Sequence, residues 1–265
     1  ELREDFEKEW THCVTPEAFV HRDFPDRILS LGEFNNEVRP FSDVKDTGAF
    51  LQMDAAGKTA VLKYAPDISS GIYSDASGRR FINTHVPSKI KAKKGNPKVW
   101  LDFMEHLVEH DNDRLELMRW CATLIARPAI KMHYGLLLIS ETQGVGKSTL
   151  GEKVLVPLVG IHNCSFPSEN DIVESAFTSW KAHKRLAVVH EIYAGNSTKA
   201  YNKLKSTITD RTVNVNRKHQ PEYETENWLH IFACSNSMRA LKLSMDDRRW
   251  FVPKVTDHKQ THEYW

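Results

Sequence analysis

The 265-residue chain is short of several things, and each shortage excludes a class of protein. Excess charge is almost absent: 36 Lys+Arg stand against 35 Asp+Glu, a formal net charge of +1. That excludes a strongly basic, histone-like domain but leaves room for a local basic patch. Long apolar runs are missing too. The longest, Leu136-Leu137-Leu138-Ile139, is far short of the roughly 20 residues needed to span a bilayer, so no membrane segment is expected. Cysteine is scarce. Cys13, Cys121, Cys164 and Cys234 lie far apart and form no Cys-x-x-Cys pair, which argues against a disulfide framework or a zinc site and for buried thiols in a reducing cytoplasm. Repeats, low-complexity tracts and a signal-peptide pattern are also absent. Glu1 opens the chain in place of Met, and Thr261-His262-Glu263-Tyr264-Trp265 reads as mid-element sequence, so a piece of a longer protein is expected. What remains, 40% hydrophobic and 27% charged residues, is ordinary for a globular protein large enough to bury a core.

The pattern along the chain divides it into three. Residues 1–98 carry short apolar runs broken at Asp23-Phe24-Pro25, Asn35-Asn36, Ala56-Gly57, Ser70-Gly71 and Ser77-Gly78, as in a loop-rich, mixed α+β accessory region. This region ends in Lys89, Lys91, Lys93, Lys94 and Lys98, either a solvated linker or a phosphate contact. Residues 99–130 form a helical segment. Trp100, Phe103, Met104, Leu107 and Val108 recur at three-to-four spacing, and Leu115, Met118, Trp120, Cys121, Leu124 and Ile125 do so again. Two amphipathic helices with core-facing stripes follow from this. From residue 131 to 265 short apolar strands alternate with helices, which predicts an α/β core with a largely parallel sheet. Strands are expected at Tyr134–Ile139, Leu186–Val189 and Leu229–Cys234, and helices at Lys147–Val156, stopping before Pro157, and at Ser197–Thr209.

Between the first strand and its helix lies Glu141-Thr142-Gln143-Gly144-Val145-Gly146-Lys147-Ser148-Thr149. This is the setting and composition of a phosphate-binding loop. The glycines let successive N–H groups of Gln143, Gly144, Val145 and Gly146 turn toward phosphate oxygens, Lys147 pairs with the outer phosphates, and the Ser148 hydroxyl beside Thr149 holds Mg²⁺. Glu141 stands where the usual pattern opens with glycine. A nucleotidase of this type also needs a carboxylate at the end of a neighbouring strand to order Mg²⁺ and activate water. Glu191 is the candidate, preceded by His190 where Asp is usual. Either Glu191 serves both tasks or His190 orients a metal-bound water. Asn236 ends the third strand and can position the attacking water. Arg248 and Arg249 are candidates for a charge-neutralising finger, and spacing does not choose between them.

From Lys203 to Lys218 the chain carries five basic residues and one acid. Val213 and Val215 alternate with polar residues as in a hairpin arm, which places Arg217, Lys218 and His219 near a tip turned at Gln220-Pro221. Such a tip suits a phosphate backbone held without base readout. The order of loop, strand ending in Glu191, basic hairpin, strand ending in Asn236 and arginine pair resembles the superfamily 3 helicases of viruses, phages and plasmids, an AAA+-related group. The likeness is greatest to the helicase parts of phage and poxvirus-type primase-helicases. It covers about residues 133–254 and the helical pair before them, with loose matches at Phe34-Asn35 and Ile82-Asn83-Thr84. The resemblance implies a P-loop core with an inserted hairpin, ATP hydrolysis with Mg²⁺ at subunit interfaces, a hexameric ring, and 3′ to 5′ travel on single-stranded DNA. It also implies a covalently fused primase or polymerase and a place in the cytoplasm of a host cell. By position, Lys147 and Ser148 bind nucleotide and metal, Glu191 activates water, Asn236 senses the outer phosphate, Arg248 or Arg249 is a finger acting in trans, and Lys218 with His219 grips DNA. A DNA-binding nucleotide switch with weak hydrolysis is the alternative.

Overall fold

The computed structural model describes residues 6, 8–42, 46–49, 60–191, 197–218, 221–237, 240–241, 243–244 and 246–264. The first part is built from strands β1 (Trp10–Thr15), β2 (Glu17–His21) and β3 (Ile28–Leu29), helix α1 (Leu31–Val38), and strands β4 (Ala60–Lys63), β5 (Gly71–Ser74) and β6 (Arg80–Asn83). The strands form one mixed sheet in the order β3-β2-β1-β4-β6-β5. Alternation along them buries Cys13, Ala18, Val20, Ala60, Leu62 and Ile82 together. Trp10 and Phe19 pack instead with Phe34 and Val38 of α1. That helix starts on a capping box, with Ser30 N and Oγ both 2.8 Å from the Glu33 carboxylate. Asn83 is fully buried because its amide holds the bend after β4, taking Ala65 N at 2.9 Å and giving to Ala65 O at 2.9 Å.

The expected helical pair is present as α2 (Lys98–Leu107) and α3 (Asp111–Ala126). On α3 the buried stripe is Leu117, Trp120, Cys121 and Leu124, at i, i+3, i+4 and i+7. Leu115 and Ile125, expected on that stripe, are 47% and 37% exposed, because each lies on the helix away from the face that Leu117 sets.

The second sheet has five strands, all parallel: β7 (Gly135–Ile139), β8 (Cys164–Ser165), β9 (Leu186–His190), β12 (His230–Ser235) and β13 (Trp250–Phe251), in the order β13-β7-β12-β9-β8. Its strands are apolar on both sides because both faces are covered. Leu136, Leu138, Val188, Phe232 and Cys234 share a core with α2 and α3. Leu137, Ala187, Val189, Ile231 and Ala233 face α5 (Glu169–Val173) and α6 (Ser197–Thr209), meeting Ile172, Ala200, Leu204 and Ile208. Between α6 and β12 the chain forms the expected hairpin, β10 (Thr212–Val215) antiparallel to β11 (Tyr223–Glu226). No helix among the described residues is long and apolar enough to cross a membrane.

The helix after the glycine turn departs from expectation. Residues Thr149–Leu155 are π-helical and run into α4 (Val156–Val159), so the helix passes Pro157 instead of stopping before it. Val156 N–H bonds Gly151 O, five residues back. Pro157 therefore falls in the first turn of α4, where its missing N–H is not needed. Gly160, at φ +91°, ends the helix. Gly151 lets this helix lie close on the sheet: a Cβ there would stand 2.6 Å from the Phe232 ring.

Candidate functional site

The carboxyl ends of β7, β9 and β12 open onto one cleft. It has a volume of about 470 Å³ and is lined by Gln143, Gly144, Gly146, Lys147, Ser148, Thr149, Glu191 and Asn236. Gly144 and Gly146 take φ values of +79° and +108°, which side chains with a Cβ resist. Lys147 is 6% exposed. Its Nζ donates to Ser140 O at 2.9 Å and Thr142 O at 3.2 Å, inside the turn. Burial pushes the ammonium below its ordinary value, opposed by Cys234 and Asp257.

Glu191 follows β9 in the left-handed conformation, φ +54°, held by its N–H on Cys234 O at 3.1 Å. A non-glycine residue in that region is uncommon and marks a position the surrounding fold dictates. Asn236 Nδ2 lies 3.4 Å from Glu191 Oε1. His190 Nε2 approaches Glu152 Oε1, on the π-helical turn, to 2.8 Å, at ion-pair distance but off the line of a ring N–H bond. A second cavity of about 310 Å³ shares Lys147, Ser148, Glu191 and Asn236 with the cleft and is also lined by Ser168, Glu169, His190 and Cys234.

One expectation about placement is corrected. Glu191 was expected on the strand next to the turn, but β12 lies between: β12 pairs with β7 on one side and with β9 on the other. This puts Asn236, not Glu191, on the adjacent strand end. Val145 is fully buried under the turn and does not line the cleft. Arg248 and Arg249 are not brought to the cleft of their own chain. Gly135 N donates to Arg249 O at 2.8 Å, so the pair sits at the amino end of β7. There, with His133, Tyr134 and Thr209, it lines a separate cavity of about 440 Å³. The two now differ: Arg249 reaches Asp247 at 3.7 Å and Tyr201 Oη at 3.5 Å, and Arg248 is exposed. On the hairpin, Arg217 lies over the Tyr223 ring at 5.8 Å and Lys218 is exposed in the turn. His219, expected beside them, lies outside the described residues.

Several residues around the turn carried no local sequence signal. His106 of α2 meets Val145 O through Nε2 at 3.1 Å, and Gln260 Nε2 meets its Nδ1 at 3.2 Å. These partners fix Nε2 as the protonated nitrogen. Ser140 Oγ lies 3.1 Å from both Thr256 O and Asp257 Oδ1, and Thr256 N donates to Leu107 O at 3.0 Å. The turn is thus buttressed by α2 and by the segment after β13.

Residues 138–249 match DUF5906, a family of unknown function. The chain is also 26% identical over 199 residues to the DNA primase-polymerase of Nitratiruptor phage NrS-1, across 72% of this chain and 27% of that one. Two solved structures of the NrS-1 C-terminal region are similar. An apo structure matches with a TM-score of 0.72 at 19% identity, over 94% of this chain and 59% of that chain. An A-form apo structure matches at 0.74 and 18%, over 99% and 63%. The chain therefore spans just over a quarter of the phage protein and about three fifths of the solved region. At these identities the structural likeness establishes the fold: an α/β protein with an all-parallel five-stranded sheet beside a mixed one.

Proposed function

We propose that this chain is the ATP-driven motor of a phage-type replication protein, a helicase that pulls single-stranded DNA 3′ to 5′. The observation that carries the reading is the meeting of Lys147, Ser148, Glu191 and Asn236 in one cleft, from three separate strand ends. The cleft is strongly polar and large enough for a triphosphate tail. Amides of the turn donate to phosphate oxygens, and Lys147 exchanges its carbonyl partners for the outer phosphates. The Ser148 hydroxyl and the Glu191 carboxylate are hard oxygen donors that fit Mg²⁺, which when bound offsets charge on the triphosphate. Glu191 takes the proton of the attacking water, and Asn236 orients that water against the outer phosphate.

Arg248 or Arg249, remote from its own cleft, serves the cleft of a neighbouring copy in a homo-oligomeric ring, which the helicase resemblance makes a hexamer. Arg217, Lys218 and His219 hold the DNA backbone. The phage relative is a DNA primase-polymerase, which supports a fused synthetic domain, a role in DNA replication and action in the cytoplasm of a host cell.

The deciding experiment compares ATP hydrolysis with and without single-stranded DNA, and unwinding of a forked duplex, for the native chain and Lys147→Ala. The native chain unwinds and is stimulated by DNA, and the variant does neither; unchanged hydrolysis in the variant overturns the reading. The contact of His190 with Glu152, where a carboxylate is usual, favours a second reading: a DNA-bound nucleotide switch that hydrolyses poorly. Single-turnover hydrolysis separates the two, because the switch binds nucleotide tightly and turns it over far more slowly than the motor.

A further inference from the structure

Among the described residues, His183 is one of two non-glycine residues with left-handed φ, +56°, the other being Glu191. It is buried, and both ring nitrogens are engaged by different parts of the molecule. Nδ1 lies 2.9 Å from Thr84 Oγ1, just past β6 of the accessory sheet. Nε2 lies 3.3 Å from Tyr223 Oη on the second arm of the hairpin. Tyr223 in turn carries the Arg217 guanidinium over its ring. The first arm is tied to the same stretch of chain: Thr178 N donates to Asn216 O at 3.0 Å, and Thr178 Oγ1 donates to Asn214 O at 2.9 Å. A backbone shape that L residues rarely adopt persists only where surrounding contacts impose it. Here those contacts join the accessory region to the hairpin. The base of the hairpin is further linked to the accessory sheet by Lys63 and Glu226, 3.3 Å apart.

We infer that His183 is a positioning residue that fixes the hairpin against the accessory sheet and so sets where Arg217 and Lys218 meet a DNA strand. The inference deepens the motor reading and rests on it for the DNA. A neutral imidazole makes both contacts at once, one nitrogen accepting and the other donating. Burial, with Arg217 and Lys184 nearby, holds the ring neutral, its pKa lowered to about 3.

The test uses three variants of the full chain. His183→Gly removes the ring and suits the left-handed backbone. Tyr223→Phe removes only the hydroxyl. His183→Asn keeps the backbone shape and some hydrogen-bonding capacity. Two readouts are taken: trypsin cleavage after Arg217 and Lys218 without nucleotide or DNA, and ATP hydrolysis against DNA concentration. In Tyr223→Phe cleavage rises by about fivefold, as expected for one lost neutral hydrogen bond, and in His183→Gly, which loses both ring contacts, by at least as much. The DNA concentration for half-stimulation rises in step, and basal kcat and KM for ATP do not change. His183→Asn recovers part of both. Unchanged cleavage in both disruptive variants overturns the inference, as does raised cleavage with unchanged DNA dependence. If the native chain is not stimulated by DNA, the motor reading fails instead, and the cleavage comparison still decides whether His183 holds the hairpin.

Discussion

Replacing His183 by Asn removes a titrating group whose proton affinity the fold depresses, and the size of the effect follows from two values. The ring falls from its usual pKa of 6.5 to about 3, first through burial and then through the Arg217 and Lys184 charges. Thr84, Tyr223 and Tyr64 are the other groups around it. Above pH 6.5 the imidazole is neutral in folded and unfolded chains alike, and its contribution is fully present. As pH falls below 6.5, the unfolded chain takes up a proton that the folded chain refuses until about pH 3, so stability is lost across that window. At pH 5 the loss is about 2 kcal/mol, since each pKa unit is worth about 1.4 kcal/mol and the unfolded group is already mostly charged. Asn tolerates the left-handed backbone, which limits the variant's other costs. Urea unfolding followed by tryptophan fluorescence at pH 7.5 and pH 5 measures the effect. The advantage of the native chain over His183→Asn should shrink by about 2 kcal/mol at the lower pH. His230, buried and also held well below its usual value, is common to both proteins and cancels. An advantage that is the same at both pH values refutes the account of His183 as a neutral, buried joint.

Three further outcomes are expected. Gly151→Ala forces a Cβ to 2.6 Å from the buried Phe232 ring; overpacking of about 1–3 kcal/mol set against a gain of about 1 kcal/mol in helix propensity leaves a net cost of up to about 2 kcal/mol, so Tm should fall by up to about 8 °C, and a raised Tm contradicts the close packing. Glu191→Gln should keep nucleotide binding and lose about 10²–10⁴-fold in hydrolysis; loss of binding in parallel contradicts its role as base. Arg249→Ala strips the cation from Asp247, whose side chain is 3% exposed, and should lower Tm, whereas Arg248→Ala should leave Tm unchanged and reduce hydrolysis by the assembled protein. Circular dichroism melts and phosphate release check both.

The glycine turn, the apolar strands around it and the hairpin were legible in the sequence because each is written in contiguous residues. Tyr134–Ile139 and Leu229–Cys234 read as short apolar strands, the second apolar on both sides, and Gly144 with Gly146 before Lys147 reads as a turn. What was not legible depends on packing at a distance. Nothing local says that β12 inserts between β7 and β9, since sheet order is chosen by which faces fit the covering helices. The two-residue edges β8 and β13 are too short to carry a period. His106 meets Val145 across 39 residues and Gln260 meets His106 across 154, so neither could be read from spacing. Pro157 misled because its rule assumes α-helical bonding up to the proline, which the π-helical turn before it does not supply. The separation of Arg248 from Arg249 rests on Asp247 and Tyr201 and needed three dimensions.

The supports of the glycine turn come from chain regions made at very different times. His106 is synthesised before the turn; Thr256, Asp257 and Gln260 come more than a hundred residues after it. On a translating ribosome the turn can be bent by its glycines and met by His106, but its later braces are still missing. A nascent chain halted near residue 250 would carry the strand ends of the cleft and still lack the clasp that holds Ser140 and, through His106, Val145. The site is therefore completed only once β13 has been made and the segment after it closes over the turn.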